Sequence, residues 1–469
     1  MIRQVTSTTK FRAVTRSSVA QLPQWRRLDA GLREAVEVVS HVLPFRTNEY
    51  VCNELIDWGR VPDDPIFQLT FPQRGMLRDD QYARIRDLLR EVDEDAAKKP
   101  RLDREINRIR YELNPQPAGQ LTHNVPTLHG ERMEGMQHKY RETTLFFPSH
   151  GQTCHAYCTF CFRWAQFVGL EDLKFASKEA GRLARYLKAK PRVTDVLLTG
   201  GDPMVMKTRV LERYIEPLLE IESLNTIRIG TKSVAYWPQR YVTDRDADDL
   251  MRLFERVADA GKHLAIMGHY SHAVELSTPV AREAVSRIRS AGGNIRMQSP
   301  VIRHVNDDAG VWVDLWTEGV RLGCVPYYMF VERDTGAKKY FEMPLVRAWN
   351  IFRNAYQQVP GTARTVRGPS MSCFPGKCHI LGVSDIGDEQ VFVLEFLQAR
   401  EPDLVRRPFF AKYDPRATWY DDLRPFGKAD EPFFIRSRSP DRPTIQITLS
   451  PDVTKPGRPP YRRGVMREH

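Results

Sequence analysis

TTLFFPSHGQTCHAYCTFCFR, residues 143–163, holds the pattern from which the fold is read. Its first residues are apolar or β-favouring and stop at Pro148, as a short buried strand does. Cys154, Cys158 and Cys161 follow, so a strand runs straight into a thiol-rich loop. Working outward, five stretches repeat the first: DVLLTG (195–200), TIRIGT (226–231), HLAIMG (263–268), NIRMQSPV (294–301) and VPYYMFV (325–331). Each is short, apolar and bounded by Gly, Pro or polar residues, as strands of a parallel sheet are. The segments between them have helical periodicity. KEAGRLARYLKA (178–189) sets Ala180, Leu183 and Leu187 on one face. DADDLMRLFERVADAG (246–261) opens on aspartates, closes on glycine and stripes Leu250, Leu253, Phe254 and Val257. Six βα units in a row predict an α/β fold with a parallel sheet, open or curled into a full or partial barrel. Chemistry gathers at the carboxyl ends of the strands in such folds. The unusual residues fall there: the cysteines after the first strand, Gly200-Gly201-Asp202 at the end of the second, His269 ending the fourth, Gln298 in the fifth, Tyr327 to Arg333 leaving the sixth.

Around this array the chain divides into a helical N-terminal region (1–115), the array itself (116–380) and a C-terminal extension (381–469) of short strands and proline-rich loops. Amphipathic stretches at 77–99 and 103–113 predict helices, broken by Pro115 and Pro117. The formal charge is +11. The tail Arg436–His469 is basic and proline-rich; with no helix-turn-helix, zinc-finger or RRM pattern in the chain, it reads as solvated chain rather than a nucleic-acid contact. No apolar run is long enough to span a membrane. The first residues lack the apolar core of a secretory signal. Seven cysteines, an odd number, do not form the framework of a secreted disulfide protein. A cytoplasmic protein is expected.

The spacing Cys-x3-Cys-x2-Cys admits three readings. Free cysteines are often simply buried. Structural zinc normally takes four protein ligands. Three thiolates without a nearby fourth suit a [4Fe–4S] cluster with one open iron. His155, directly next to Cys154, is awkwardly placed to be that fourth ligand.

The motif CHAYCTFCFR is similar to the signature of the radical S-adenosylmethionine (SAM) enzymes, whose fold is a full or partial βα barrel. The likeness extends to the lysine 2,3-aminomutase family. LLTGGDPM (197–204), RIGTKSVAYWPQR (228–240), GHYSHAVELS (268–277), QSPVIRHVND (298–307) and PYYMFVERDTGAKKYFEMPL (326–345) resemble that family's blocks in the same order, over about residues 135–380. The resemblance implies a partial (βα)6 barrel. It implies that Cys154, Cys158 and Cys161 ligate a [4Fe–4S] cluster whose fourth iron holds SAM. Gly200, Gly201 and Asp202 would receive the methionine end of SAM, while His269, His272 and Gln298 contact it or shape its pocket. The family also binds pyridoxal 5′-phosphate (PLP) through a lysine in a glycine-rich loop beyond the sixth strand. SMSCFPGKCHI offers Lys377 as that catalytic lysine, although the family's run of four glycines is reduced to Cys373-Phe374-Pro375-Gly376. Lys139 and Tyr140 resemble a pair beside the PLP phosphate and ring, and a further family arginine reads as Thr143. The reaction implied moves an amino group from Cα to Cβ of an amino acid by radical chemistry. A small-molecule amino acid is thus the substrate, a flavodoxin- or ferredoxin-like protein the electron donor, and a homo-oligomer the expected assembly.

Lysine-acting members hold the distal ammonium with two aspartates. Their positions fall here on Arg333 and Ser370, with Asp334 one residue away. A cation in place of an acid disfavours a cationic substrate. An α-amino acid with an acidic or neutral polar side chain is expected, glutamate-like first, with Arg163 on its α-carboxylate. Two alternatives stay open: a radical SAM enzyme performing another rearrangement or modifying protein or RNA without PLP, and a non-enzymatic iron–sulfur or zinc module. The six ordered blocks disfavour the latter, and Lys377 separates the first two readings.

Overall fold

A computed structural model describes residues 10–114, 124–169 and 175–434. The basic tail and the Pro115–Pro117 break fall outside these. One eleven-stranded sheet organises the chain. Its strands, neighbours in chain order, are β1 (Met136–Tyr140), β2 (Thr143–Phe146), β3 (Asp195–Leu198), β4 (Thr226–Thr231), β5 (His263–His269), β6 (Asn294–Val301), β7 (Val325–Val331), β8 (Arg367–Ser372), β9 (Gly376–Ile386), β10 (Glu389–Ala399) and β11 (Phe409–Lys412). β2 to β8 run parallel, and β1 and β9 to β11 add antiparallel edges.

Helices Ala180–Ala189, Thr208–Leu219, Ala247–Asp259, Pro279–Ser290, Ala309–Arg321 and Leu345–Gln358 fill the crossovers. Alternation decides what each strand presents. In β4, Ile227, Ile229 and Thr231 are buried, while Thr226, Arg228 and Gly230 on the other face are half-buried. Leu250, Leu253, Phe254 and Val257 of Ala247–Asp259 are buried as the stripe predicts. Gly261, at φ +71°, ends that helix in the left-handed region. Asp246 does not cap its own helix. Its carboxylate accepts from Thr208 N (2.6 Å), the first residue of a neighbouring helix, and pairs with Arg240.

The sheet curls. Lys139 Nζ, on β1, donates to the carbonyls of Cys373 and Gly376 in the β8–β9 turn. In a flat sheet, strands seven positions apart would be about 35 Å distant, so this contact requires the two ends to bend towards each other.

Two regions differ from the sequence reading. The stretch 77–99 is two helices' worth of chain rather than one run: Asp79–Glu94 ends at Asp95, which caps the next short turn through Ala97 N. Asp95's preference for capping outweighs the continuing apolar period. The segment after Ser372 is not a loop followed by short strands. It is a hairpin: Ser372 pairs with Lys377, and β9 and β10 are eleven residues each. Behind it, Met371, Cys373, Cys378, Ile380, Phe396, Phe409 and Phe433 form a second core. Cys373 and Cys378, 2% and 0% exposed, are therefore packing residues.

Candidate active site

The cysteine loop hangs from the end of β2 and is pinned from both sides. Tyr157 N donates to Arg46 O (2.7 Å), Thr159 N to Leu69 O (2.9 Å) and Asn48 Nδ2 to His155 O (3.2 Å). The N-terminal region thus splints this loop, a role that no local pattern in residues 1–115 announces. From the other side comes the Gly200-Gly201-Asp202 turn. Asp202 N donates to Thr153 O (2.7 Å). A Cβ on Gly201 would lie 2.5 Å from Thr153 N and O, so this glycine is required by a backbone-to-backbone approach. Gly200 has φ +147°, a conformation that favours glycine, and packs against the side-chain amide of Gln152.

Asp202 itself is 2% exposed. Its carboxylate accepts from Met204 N, Thr231 Oγ1, Lys232 N and Ser233 N at 2.7–3.0 Å. These donors occupy its lone pairs. In this structure it staples β3 to β4.

Cys154, Cys158 and Cys161 are all half-buried and free. Burial holds their thiols above the ordinary range, Cys158 up to about 12 and Cys161 to about 11. Such thiols become thiolates when a cation offsets the desolvation, as metal ligation does. Among the described residues no three His, Cys, Asp or Glu side chains converge on a single ion. Thiolates on separate irons of a cluster need not converge in that way. The donor set suits a cluster better than a closed zinc site.

Above the loop, the sheet supplies orphaned polar groups. His269 ends β5, with its ring on Phe160 (5.7 Å) and its buried Nδ1 without a partner; burial holds its pKa well below the usual value. Gln298 is its register neighbour on β6 and is half-buried. His272, in contrast, is used locally, its Nδ1 accepting from Val274 N (3.3 Å). Lys232 and Glu275, not anticipated, form a buried ion pair (2.7 Å), with Lys232 over the Tyr236 ring (4.5 Å). Both lie inside quoted blocks, RIGTKSVAYWPQR and GHYSHAVELS, whose order was read but whose lysine and glutamate have no local pattern that pairs them.

Arg163 stacks on Phe147 (4.3 Å), and its buried Nε and Nη2 have no partner. Desolvation lowers its pKa to about 10. Fixed donors left unmatched beside the cluster loop form a receptor for a carboxylate. Arg333 lies between the loop and the hairpin. It packs over Phe162 (5.6 Å) and Trp419 (5.5 Å) and donates to Ser372 O (3.1 Å), with Asp334 beside it at 3.5 Å. Ser370 is fully buried in β8, its hydroxyl directed at Met329 O (3.5 Å).

Lys377 projects over Tyr328 (4.2 Å) and Phe330 (5.7 Å). Burial brings its pKa to about 7, helped by Arg228 and Arg367. Lys139 is also brought to about 7 by burial, but its ammonium is engaged by the hairpin carbonyls. The neighbouring Tyr140 hydroxyl is buried and its pKa raised by desolvation. Arg333 thus bridges the cysteine loop, at Phe162, and the hairpin that carries Lys377, at Ser372.

Compared with known proteins, the chain is 30% identical over 390 residues to a putative L-lysine 2,3-aminomutase of Aquifex aeolicus, covering 83% of this chain and 90% of that one. It is 24% identical over 262 residues to the L-lysine 2,3-aminomutase of Bacillus subtilis (56% and 51% of the two chains). It is 27% identical over 188 residues to the glutamate 2,3-aminomutase of Clostridioides difficile (40% and 42%). It spans about half or less of the length of these latter two. No protein-family model matches the chain.

Proposed function

The chain belongs to the lysine 2,3-aminomutase family of radical SAM enzymes, and from that premise we propose that it moves the α-amino group of a glutamate-like L-amino acid to the β-carbon in a PLP-dependent reaction. The curled sheet is read as a partial (βα)6 barrel carrying this site, flanked by the helical N-terminal region and the C-terminal extension. When bound, a [4Fe–4S] cluster with SAM would supply one-electron chemistry and a hydrogen-abstracting radical, and PLP an electron-accepting support for the migrating nitrogen. Cys154, Cys158 and Cys161 would hold the cluster. Gly200, Gly201, His269 and Gln298 would hold SAM.

The protein's own contribution is positioning and proton control. The observation that carries the PLP-dependent reading is Lys377, a buried amine whose pKa of about 7 makes it a nucleophile at neutral pH. Arg163 supports a grip on the substrate α-carboxylate, since its unpaired Nε and Nη2 match two oxygens. Arg333 stands where a side-chain carboxylate or amide would lie between loop and hairpin. An electron would come from a small redox protein in the cytoplasm.

The test is anaerobic reconstitution with iron, sulfide and PLP, followed by spectra and then by turnover with SAM, dithionite and a panel of amino acids. A PLP band absent from Lys377→Ala, with a β-amino acid formed from glutamate ahead of lysine, supports the reading. A wild-type protein that takes up the cluster but no PLP returns the chain to other radical chemistry.

A further inference from the structure

Deep in the curled sheet, three cations share two aromatic rings. Arg296 on β6 lies over the Tyr327 ring (5.2 Å). Arg367 on β8 lies over the same ring (4.4 Å) and over Tyr328 (4.7 Å). Tyr328 also carries the Lys377 amine. Among the described residues neither guanidinium makes a hydrogen bond or ion pair, and both side chains are half-buried. The aromatic faces offset part of the desolvation of the guanidinium planes. They leave the in-plane N–H donors without acceptors. Asp195, on β3, is already closed on Arg228 of β4 at 2.6 Å. The two guanidiniums therefore keep their donors available to an anionic ligand.

The chemistry of that ligand can be narrowed. One guanidinium matches a carboxylate. Two guanidiniums beside a nucleophilic amine match a doubly charged group with three oxygens carried on a molecule that reacts with amines. Lys139, which the family resemblance would set by the PLP phosphate, is not free, because the Cys373 and Gly376 carbonyls hold it. At Thr143 a family arginine is absent. Register places Thr143 level with Asp195, at the start of β2 and β3. Arg367 opens β8, and Arg296 stands third in β6.

We infer that Arg296 and Arg367 form the phosphate subsite for PLP held at Lys377, and that Lys139 instead clamps the hairpin that presents Lys377. The inference rests on the PLP-dependent reading above and deepens it.

The experiment compares PLP with pyridoxal, which has the same aldehyde but no phosphate. Affinity for each is measured by absorbance titration on the reconstituted protein. The wild type should prefer PLP. Arg296→Gln and Arg367→Gln should each weaken PLP binding by about tenfold or more, as loss of a charge-assisted hydrogen bond does, while pyridoxal binding and iron content stay within about twofold. Retained pyridoxal binding also reports that the variant is folded. Lys139→Gln should weaken both aldehydes alike. An unchanged PLP preference in both arginine variants overturns the inference while leaving PLP dependence intact. A preference abolished by Lys139→Gln alone overturns it equally. No PLP uptake by the wild type overturns it together with the PLP-dependent reading.

Discussion

The proposed PLP-dependent reading turns on Lys377, and the protonation of that amine sets a pH dependence whose sign is fixed. The amine reacts with an aldehyde only when neutral. An exposed lysine would be neutral above about pH 10.4; burial brings Lys377 to about 7. PLP uptake should therefore rise as pH increases through about 7 and level off above it. Lys139 is also depressed to about 7 by burial, so its own titration falls in the same pH range. Absorbance-monitored uptake from pH 5.5 to 9.5 checks this; a rate still climbing at the top of that range would contradict it. Both amines lose their protons in the folded state at lower pH than in the unfolded chain. The apoprotein should consequently gain stability as pH rises from about 7 towards 10. At the other side of the site, Cys154→Ala, Cys158→Ala and Cys161→Ala should each lose most of the iron after reconstitution, whereas Cys324→Ala, at a core position, should keep it. Iron and sulfide assays decide the matter.

At the scale of elements, the cysteine loop is held by a close backbone approach from the Gly200-Gly201-Asp202 turn. Gly201→Ala would set a Cβ 2.5 Å from Thr153 N and O. The expected outcome is a displaced loop, with iron content at least halved and a melting temperature lowered by only a few degrees, since overpacking of this kind costs about 1–3 kcal/mol. Full iron loading in that variant would mean that the turn is free to move. Elements of this sort were unevenly legible. NIRMQSPV and VPYYMFV are strands over the residues read from sequence, because buried parallel strands are dense in apolar residues and carry that density locally. The hairpin holding Lys377 was not legible. Cys373-Phe374-Pro375-Gly376 has turn composition, but the pairing of Lys377 with Ser372 depends on β10 and on the core behind it. The splinting of the cysteine loop by Arg46, Asn48 and Leu69 was equally invisible, since those contacts use mostly backbone groups that any residue supplies. Arg296 and Arg367 did leave a trace: each is a charge on a strand of apolar and small residues, on the half-buried face.

For the whole molecule, the curl of the sheet brings β1 to the hairpin through Lys139, and Arg333 joins that hairpin to the cysteine loop that carries Arg163. The groups gathered there are dominated by cations: Arg163 with unpaired donors, Arg333 between Phe162 and Trp419, and two lysines. Asp334, the acid one residue from Arg333, has that cation 3.5 Å away to offset its charge, although its buried Oδ1 accepts no hydrogen bond. A lysine substrate would add an ammonium to this set, and a desolvated like-charge contact is strongly unfavourable. A substrate carrying a carboxylate or amide would satisfy Arg333. Arg333→Gln should then raise KM for glutamate by about tenfold or more while lowering kcat less, because the contact grips a part of the substrate remote from the bond that changes. Arg333→Asp should shift the preference towards lysine. Product analysis of the amino acid panel with these two variants and the wild type decides between the readings. Lysine as the wild-type enzyme's preferred substrate would mean that a group other than Arg333 governs the distal end of the site.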